Sequence, residues 1–214
     1  LNISLMNYLI LLRHGQSQWN FENRFTGCTD VELTESGISE AEEAGKLIDK
    51  LEIHIDRVYT SNLNRAIKTA IIAMKQTKQT HLYKEENLIF EKNEALNERD
   101  YGNLVGLNKN ETKKKFGADQ VHLWRRSFSI RPPDGESLED VVTRVTPYFQ
   151  NKINNDILQN KNILISAHGN SLRALFFILG MYDKDKISTV EIPTGKPLLL
   201  KFERGKLKDY NYIN

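Results

Sequence analysis

Arg13-His14-Gly15, Arg65 and Ala167-His168-Gly169 are the residues whose types and spacing bear most directly on chemistry. An imidazole among guanidinium groups suits phosphoryl transfer. Arginine forks grip two or three phosphoryl oxygens while a neutral ring nitrogen attacks phosphorus in line, leaving a phosphohistidine. Neighbouring arginines disfavour ring protonation and keep the imidazole nucleophilic at neutral pH. Gly15 leaves room for a backbone carbonyl to hold the other ring N–H and fix the tautomer. The leaving oxygen needs a proton, and Glu98, in Leu96-Asn97-Glu98-Arg99, is a carboxyl able to supply it. This is nucleophilic catalysis without a metal.

These residues need elements that bring them together. Residues 8–12 form a short apolar run ending at Arg13 and His14, read as a buried strand. Thr34 caps a predicted helix that runs to about residue 51, with Ile38, Ala41, Ala44, Ile48 and Leu51 on one stripe. A strand over 57–60 leads through Ser61 and Asn62 to a helix that carries Arg65 in its first turns. The segment 88–133 is more polar and reads as a cap, with helices around 109–116 and 120–126. Ser137 and Asp140 make a capping box for a long helix that Pro147 should kink. A strand over 162–166 delivers His168, the apolar segment 171–179 is a buried helix, and strands over 197–202 and 207–212 pair around Gly205.

Strands alternating with helices predict an α/β fold of three layers, α/β/α, around a mostly parallel sheet. Its ligand site belongs at the carboxyl ends of the strands, beside helix N-termini that favour anions. Residues 6–214 read as one domain including the cap, and residues 1–5 as a possible tag remnant or frayed extension.

Composition removes other classes. Leu, Ile, Val and Phe make up 61 of 214 residues, enough to build a core. The single Cys28 can form neither an internal disulfide nor a thiolate metal cluster and receives no role. A net charge of +2 gives no case for nucleic acid, and the abundant Lys, Asn and Ile fit A+T-rich coding. With no membrane-length apolar run and no leader pattern, the chain is expected to be soluble and cytoplasmic. His54, His81 and His122 lack metal-ligand spacing and are expected at the surface. No Gly-x-x-x-x-Gly-Lys or Gly-x-Gly-x-x-Gly occurs, and Arg173 stands where a Gly-x-Ser-x-Gly elbow around Ser171 needs its last glycine.

The order of Arg13-His14, Arg65 and Ala167-His168-Gly169 at strand-to-helix junctions resembles the histidine phosphatase superfamily. Further segments narrow the resemblance to its cofactor-dependent phosphoglycerate mutase branch: Gly15-Gln16-Ser17-Gln18-Trp19-Asn20, Asn23-Arg24-Phe25-Thr26-Gly27, Glu98-Arg99-Asp100-Tyr101-Gly102, Gly106-Leu107-Asn108-Lys109, Trp124-Arg125-Arg126, Pro132-Pro133-Asp134-Gly135-Glu136-Ser137-Leu138 and Gly169-Asn170-Ser171-Leu172-Arg173. The resemblance runs from about residue 8 to 212.

It implies that His14 is the phosphorylated nucleophile, Glu98 the proton donor and acceptor, and His168 a cationic partner of the transferring group, which Arg13 and Arg65 bind beside Asn20. Thr26, Gly27, Tyr101, Lys109, Arg125, Arg126, Gly169 and Asn170 would hold the rest of a phosphoglycerate. The implied reaction interconverts 3- and 2-phosphoglycerate in glycolysis and gluconeogenesis, primed by 2,3-bisphosphoglycerate and independent of metal. Charge arithmetic agrees. A bisphosphoglycerate carries about −4 to −5, against six candidate positive charges from Arg13, Arg65, Lys109, Arg125, Arg126 and a protonated His168.

A phosphatase acting on small phosphomonoesters, or a non-catalytic phospholigand-binding domain, are the alternatives. The short connection from Arg131 to Ser137 and the end at Asn214, with little tail, predict easier water entry, a higher ratio of hydrolysis to mutase activity than in longer relatives, and a monomer or small homo-oligomer.

Overall fold

The computed structural model describes residues 6–214; the expectation for residues 1–5 lies outside the described residues. Six strands build the central sheet: β1 (Met6–Arg13), β2 (Arg57–Thr60), β3 (Glu91–Lys92), β4 (Ile163–Ala167), β5 (Pro197–Glu203) and β6 (Lys206–Tyr212). Their spatial order is β3-β2-β4-β1-β5-β6. The first three neighbouring pairs are parallel and the last two antiparallel, so the sheet is mostly parallel as expected.

Side-chain alternation along the strands divides the core in two. Leu9 and Leu11 of β1 and Ile163 and Ile165 of β4 face helices α5 (Leu138–Tyr148) and α6 (Gly169–Ile178). Ile10 and Leu12 of β1 and Leu164 of β4 face the opposite layer, α1 (Glu35–Asp49) and α2 (Asn64–Lys75). Helices α3 (Lys109–Phe116) and α4 (Ala118–Arg126) sit over a third, smaller cluster of Phe25, Leu104, Val121 and Trp124, against which Tyr101 packs. A two-strand hairpin, Tyr83–Lys84 with Asn87–Leu88, stands apart from the main sheet.

Local sequence explains most boundaries. Thr34 accepts the Gly37 N–H at the start of α1, and Ser137 and Asp140 form the predicted capping box on α5. Ile38, placed on the α1 core stripe by periodicity, is instead 40% exposed, and that face is closed by Gly37, Ala41, Ala44, Gly45 and Ile48. Pro147 lies inside α5, and directly after it the helix widens into a π-turn over Phe149–Ile153. Helix α6 starts at Gly169, two residues earlier than expected, with His168 as its N-cap.

Registers align the strand ends that matter. Arg13 stands opposite Ala167, and Thr60 opposite Ser166, so β4 ends between β1 and β2 at one level. The chain after each of the three strands therefore opens on the same rim.

Candidate active site

His14 leaves β1 but stays stitched to the sheet, its N–H donating to Ala167 O at 3.0 Å. Its Nδ1 lies 2.7 Å from the carbonyl oxygen of Gly15. A carbonyl only accepts, so Nδ1 carries the proton and Nε2 keeps its lone pair. Burial, then the charges of Arg65 and Arg13, hold the His14 pKa well below the ordinary imidazole value, against the opposing pull of the Gly15 carbonyl. The ring is therefore neutral, with the Nε2 lone pair uncommitted.

Gly15 is fixed from two sides. Its N–H donates to Thr69 Oγ1 (3.1 Å). A Cβ on Gly15 would meet Gly37 O at 2.1 Å, and one on Gly37 would meet Gln16 O at 2.1 Å, so the start of α1 touches this loop backbone to backbone.

His168 packs against His14 with ring centroids 5.0 Å apart and planes tilted by 57°. Its Nε2 lies 2.7 Å from Ser61 Oγ, which in turn accepts the Leu63 N–H (3.1 Å). The Ser61 hydroxyl can donate to Nε2 or accept from it, and the other ring nitrogen, Nδ1, is a buried atom without a partner. Burial, then Arg65, His14 and Arg13, push the His168 pKa well below its ordinary value. In the free protein the ring is therefore held neutral, because tertiary packing buries it among cations; the sequence expectation of a cationic His168 concerns the ring beside a transferring phosphoryl group.

Arg65, in the first turn of α2 and 1% exposed, donates from Nη1 to Thr29 O and from Nη2 to Gly27 O, both at 2.7 Å. Gly27 adopts φ +55°, a conformation glycine supplies without strain. Arg13 donates from Nη1 to Ile192 O (2.7 Å). The Nε atoms of both Arg13 and Arg65 are buried without a partner. Both guanidiniums are held by neutral carbonyls.

Glu98 is 9% exposed, and its Oε1 accepts the N–H groups of Arg99 (2.8 Å) and of Asn170 (3.0 Å) at the start of α6. Burial acts to raise its pKa, but those two donors and the charges of Arg13 and Arg65 outweigh it and keep the carboxyl below its ordinary value. Glu98 is a carboxylate in the free protein. A Cβ added to Gly169 would lie 3.3 Å from Arg173 Nη1, 3.7 Å from Glu98 Oε2 and 3.8 Å from Arg13 Cζ, which shows how closely these groups converge.

An open cleft of about 440 Å³ lies at this rim. Asn20, Thr26, Gly27, Tyr101, Lys109, Arg125, Arg126, Gly169 and Asn170 all line it, together with Arg13 and Glu98. His14, Arg65 and His168 are buried more deeply, at 2% exposure or less. Asn20 is fixed by its capping box with Ser17. Burial and then Arg125 lower the Lys109 pKa, and burial comes first in lowering Arg125 too. Burial acts to raise Tyr101, yet Arg99, Arg173 and Lys109 bring it below its ordinary value; the Arg99 guanidinium lies 4.4 Å from the tyrosine ring centroid.

Some residues of the site were not singled out from sequence. Arg173 lines the cleft, donates to Val190 O (2.8 Å) and Asn170 Oδ1 (3.2 Å), and is lowered to about 10 by burial and then Arg126. A cation in a helix otherwise apolar all round was its signal. Arg144 of α5 donates to Ala95 O (2.6 Å), Asn97 O and Glu98 O (both 3.1 Å), and pairs with Glu136 (2.8 Å). Its position among Val141, Val142 and Val145 was the clue. Glu191, Pro193 and Thr194 also line the cleft and carried no readable pattern. His54, His81 and His122 are exposed, and among the described residues no group of metal-ligating side chains forms. No helix among the described residues is long and apolar enough to cross a membrane.

The chain is similar to known proteins over nearly its whole length. A 2,3-bisphosphoglycerate-dependent phosphoglycerate mutase of Bartonella bacilliformis is 49% identical over 194 residues, covering 91% of each chain. Another with the same name, from Azorhizobium caulinodans, is 46% identical over 193 residues, 90% of this chain and 91% of the relative. Among solved structures, YhfR of Bacillus stearothermophilus superposes with a TM-score of 0.78 at 25% identity, covering 94% of each chain. Residues 9–212 match the histidine phosphatase superfamily (branch 1). With a neutral histidine seated among carbonyl-held arginines at the strand ends, and with these matches over nearly its whole length, the chain belongs to the histidine phosphatase superfamily.

Proposed function

We propose that this protein interconverts 3-phosphoglycerate and 2-phosphoglycerate through a phosphohistidine at His14, in glycolysis and gluconeogenesis. The observation that carries the reading is the His14 ring: its proton is tied to the Gly15 carbonyl, and its Nε2 lone pair is free beside the buried Arg65 and the half-buried Arg13. The buried, unpartnered Arg13 Nε, Arg65 Nε and His168 Nδ1 fit a phosphoryl group that accepts from all three. The names of the close relatives support the same activity.

In this reading 2,3-bisphosphoglycerate supplies the phosphoryl group that loads His14. Arg13, Arg65 and Asn20 hold that group, while Thr26, Gly27, Tyr101, Lys109, Arg125, Arg126, Gly169 and Asn170 hold the remainder of the ligand. His14 Nε2 bonds to phosphorus as the bond to the departing oxygen breaks, and protonated Glu98 gives that oxygen its proton. In the return step Glu98, now a carboxylate, takes the proton of the attacking hydroxyl as His14 loses its phosphoryl group. The low pKa of Glu98 in the free protein readies it for this second role. A phosphoryl dianion arriving beside Glu98 and His168 raises both pKa values, which lets Glu98 carry a proton and His168 become a cation during transfer. No step requires a metal.

Residues 6–214 would act as one catalytic unit, with 88–133 as its cap, in the cytoplasm, as a monomer or small homo-oligomer. Incubation with 2,3-bisphosphoglycerate should add one acid-labile phosphoryl group to the protein, and His14→Ala should abolish both this and mutase activity measured in a chelator. Full activity in His14→Ala, or no added phosphoryl group, overturns the mechanism.

A further inference from the structure

The cleft contains an anion that the proposed reaction does not use. Glu191 lines it and pairs, through Oε1, with Nη2 of Arg126, which is itself one of the cleft's cations. The two partners differ in how firmly they are held. The Arg126 side chain is 19% exposed and also donates from Nη1 to Ser188 O (3.4 Å), whereas the Glu191 side chain is 73% exposed.

The backbone around Glu191 does not depend on that carboxylate. Alternate carbonyls along the segment each receive an arginine from a different element: Ser188 O from Arg126 of α4, Val190 O from Arg173 of α6, and Ile192 O from Arg13 of β1. Gly195 N–H closes the segment onto Arg13 O (3.0 Å). The Glu191 side chain can therefore leave Arg126 while the segment that bears it stays in place.

We propose that Glu191 is an internal anion occupying Arg126 until a second anionic group of the ligand displaces it, so that Glu191 loosens the hold of the cleft on ligands with two anionic groups and spares those with one. The inference rests on the reading of this cleft as a phosphoglycerate site and names the residue that moderates its affinity for doubly anionic ligands. An exposed carboxylate–arginine pair contributes little, so it yields readily. A phosphate with about −1.5 to −2 charge competes well against a single carboxylate, while a ligand lacking that second group leaves the Glu191–Arg126 pair intact and is bound equally with or without Glu191. The exchange also gives the product a competitor that helps it leave.

Glu191→Gln tests this, since an exposed side chain can change without loss of the fold. In a His14→Gln background, where no phosphoryl transfer intervenes, calorimetric titration with 2,3-bisphosphoglycerate and with inorganic phosphate compares the two ligand classes. Glu191→Gln should tighten bisphosphoglycerate by about threefold to tenfold and leave inorganic phosphate within about twofold. In an Arg126→Gln background the gain should vanish. If His14→Gln does not fold, half-saturation of His14 phosphorylation in the otherwise unchanged protein reads the same difference. Bisphosphoglycerate affinity that is unchanged or weaker in Glu191→Gln, or an equal gain for inorganic phosphate, overturns the proposal. Absence of bisphosphoglycerate binding to the protein with Glu191 intact overturns the mutase reading instead.

Discussion

At the scale of single residues, the two buried histidines make a prediction about stability that is independent of catalysis. Both folded pKa values are depressed, so between the folded values and the unfolded value of about 6.5 the unfolded chain binds protons that the folded chain does not. Stability is therefore fully present above that window and lost as pH falls through it. The unfolding free energy should drop below about pH 6.5 with a slope approaching 1.4 kcal/mol per pH unit for each histidine, carrying the denaturant midpoint down with it. Glu98, lowered as well, adds a loss of the same sign only below its unfolded pKa near 4.3. Midpoints measured from pH 5 to 8 should flatten when His168 is replaced by Gln, and an unchanged slope would contradict the assignment. Glu98→Gln keeps the hydrogen-bonding shape but cannot exchange a proton, so mutase kcat should fall by about 10² to 10⁴ with a much smaller change in KM.

At the scale of elements, the position of Glu98 is decided by a helix that never reaches the cleft. Arg144 projects from α5 to the carbonyls of Ala95, Asn97 and Glu98, and its partner Glu136 accepts the N–H of Asp100 (2.9 Å), so one ion pair holds the chain on both sides of the carboxylate. The short 131–137 connection is anchored to the same stretch, through Asn103 N to Pro133 O (2.9 Å) and Glu136 N to Asp100 O (2.8 Å). Arg144→Gln should lower kcat by about tenfold to a hundredfold, displace the pH profile of activity, and regain part of both as Arg144→Lys; a change in KM alone would refute a positioning role. Elements were the most legible level in the sequence. The strand over 57–60 and the helix over 109–116 have the bounds expected, because turn chemistry and apolar runs are local signals. The site residues at strand ends were legible for the same reason, each adjacent to an element boundary. The burial of His168 with its lowered pKa, the exposure of Ile38 and the reach of Arg144 were not, since each depends on what packs against the residue from elsewhere in the chain.

At the scale of the whole molecule, a net charge of +2 hides a strongly uneven distribution. Arg173 joins Arg13, Lys109, Arg125 and Arg126 at the rim, where the cations outnumber the carboxylates of Glu98 and Glu191. The resulting positive field attracts polyanions and is screened by salt, so kcat/KM should fall as ionic strength rises from about 0.01 to 0.15 M, most steeply for a bisphosphate. A ligand that relieves this repulsion binds only the folded state. Inorganic phosphate or 2,3-bisphosphoglycerate at about 100 times its dissociation constant should add roughly 2.7 kcal/mol, or several degrees in Tm, and the shift should disappear in Arg65→Gln.

The carbonyl tethers on these arginines have a wider consequence. Gly27, Thr29, Val190 and Ile192 fix the direction of three guanidiniums, those of Arg65, Arg173 and Arg13, with neutral dipoles, so for these three, unlike Arg126, orientation and neutralisation are separated. Arginines tied to carboxylates would have to break ion pairs and reorient before they could grip a phosphate. Here the solvent-like response has been built into the backbone beforehand, and little remains to rearrange when charge moves between oxygen and nitrogen. The same chain segments that make the fold electrostatically uncomfortable when empty thus keep the barrier to phosphoryl transfer low.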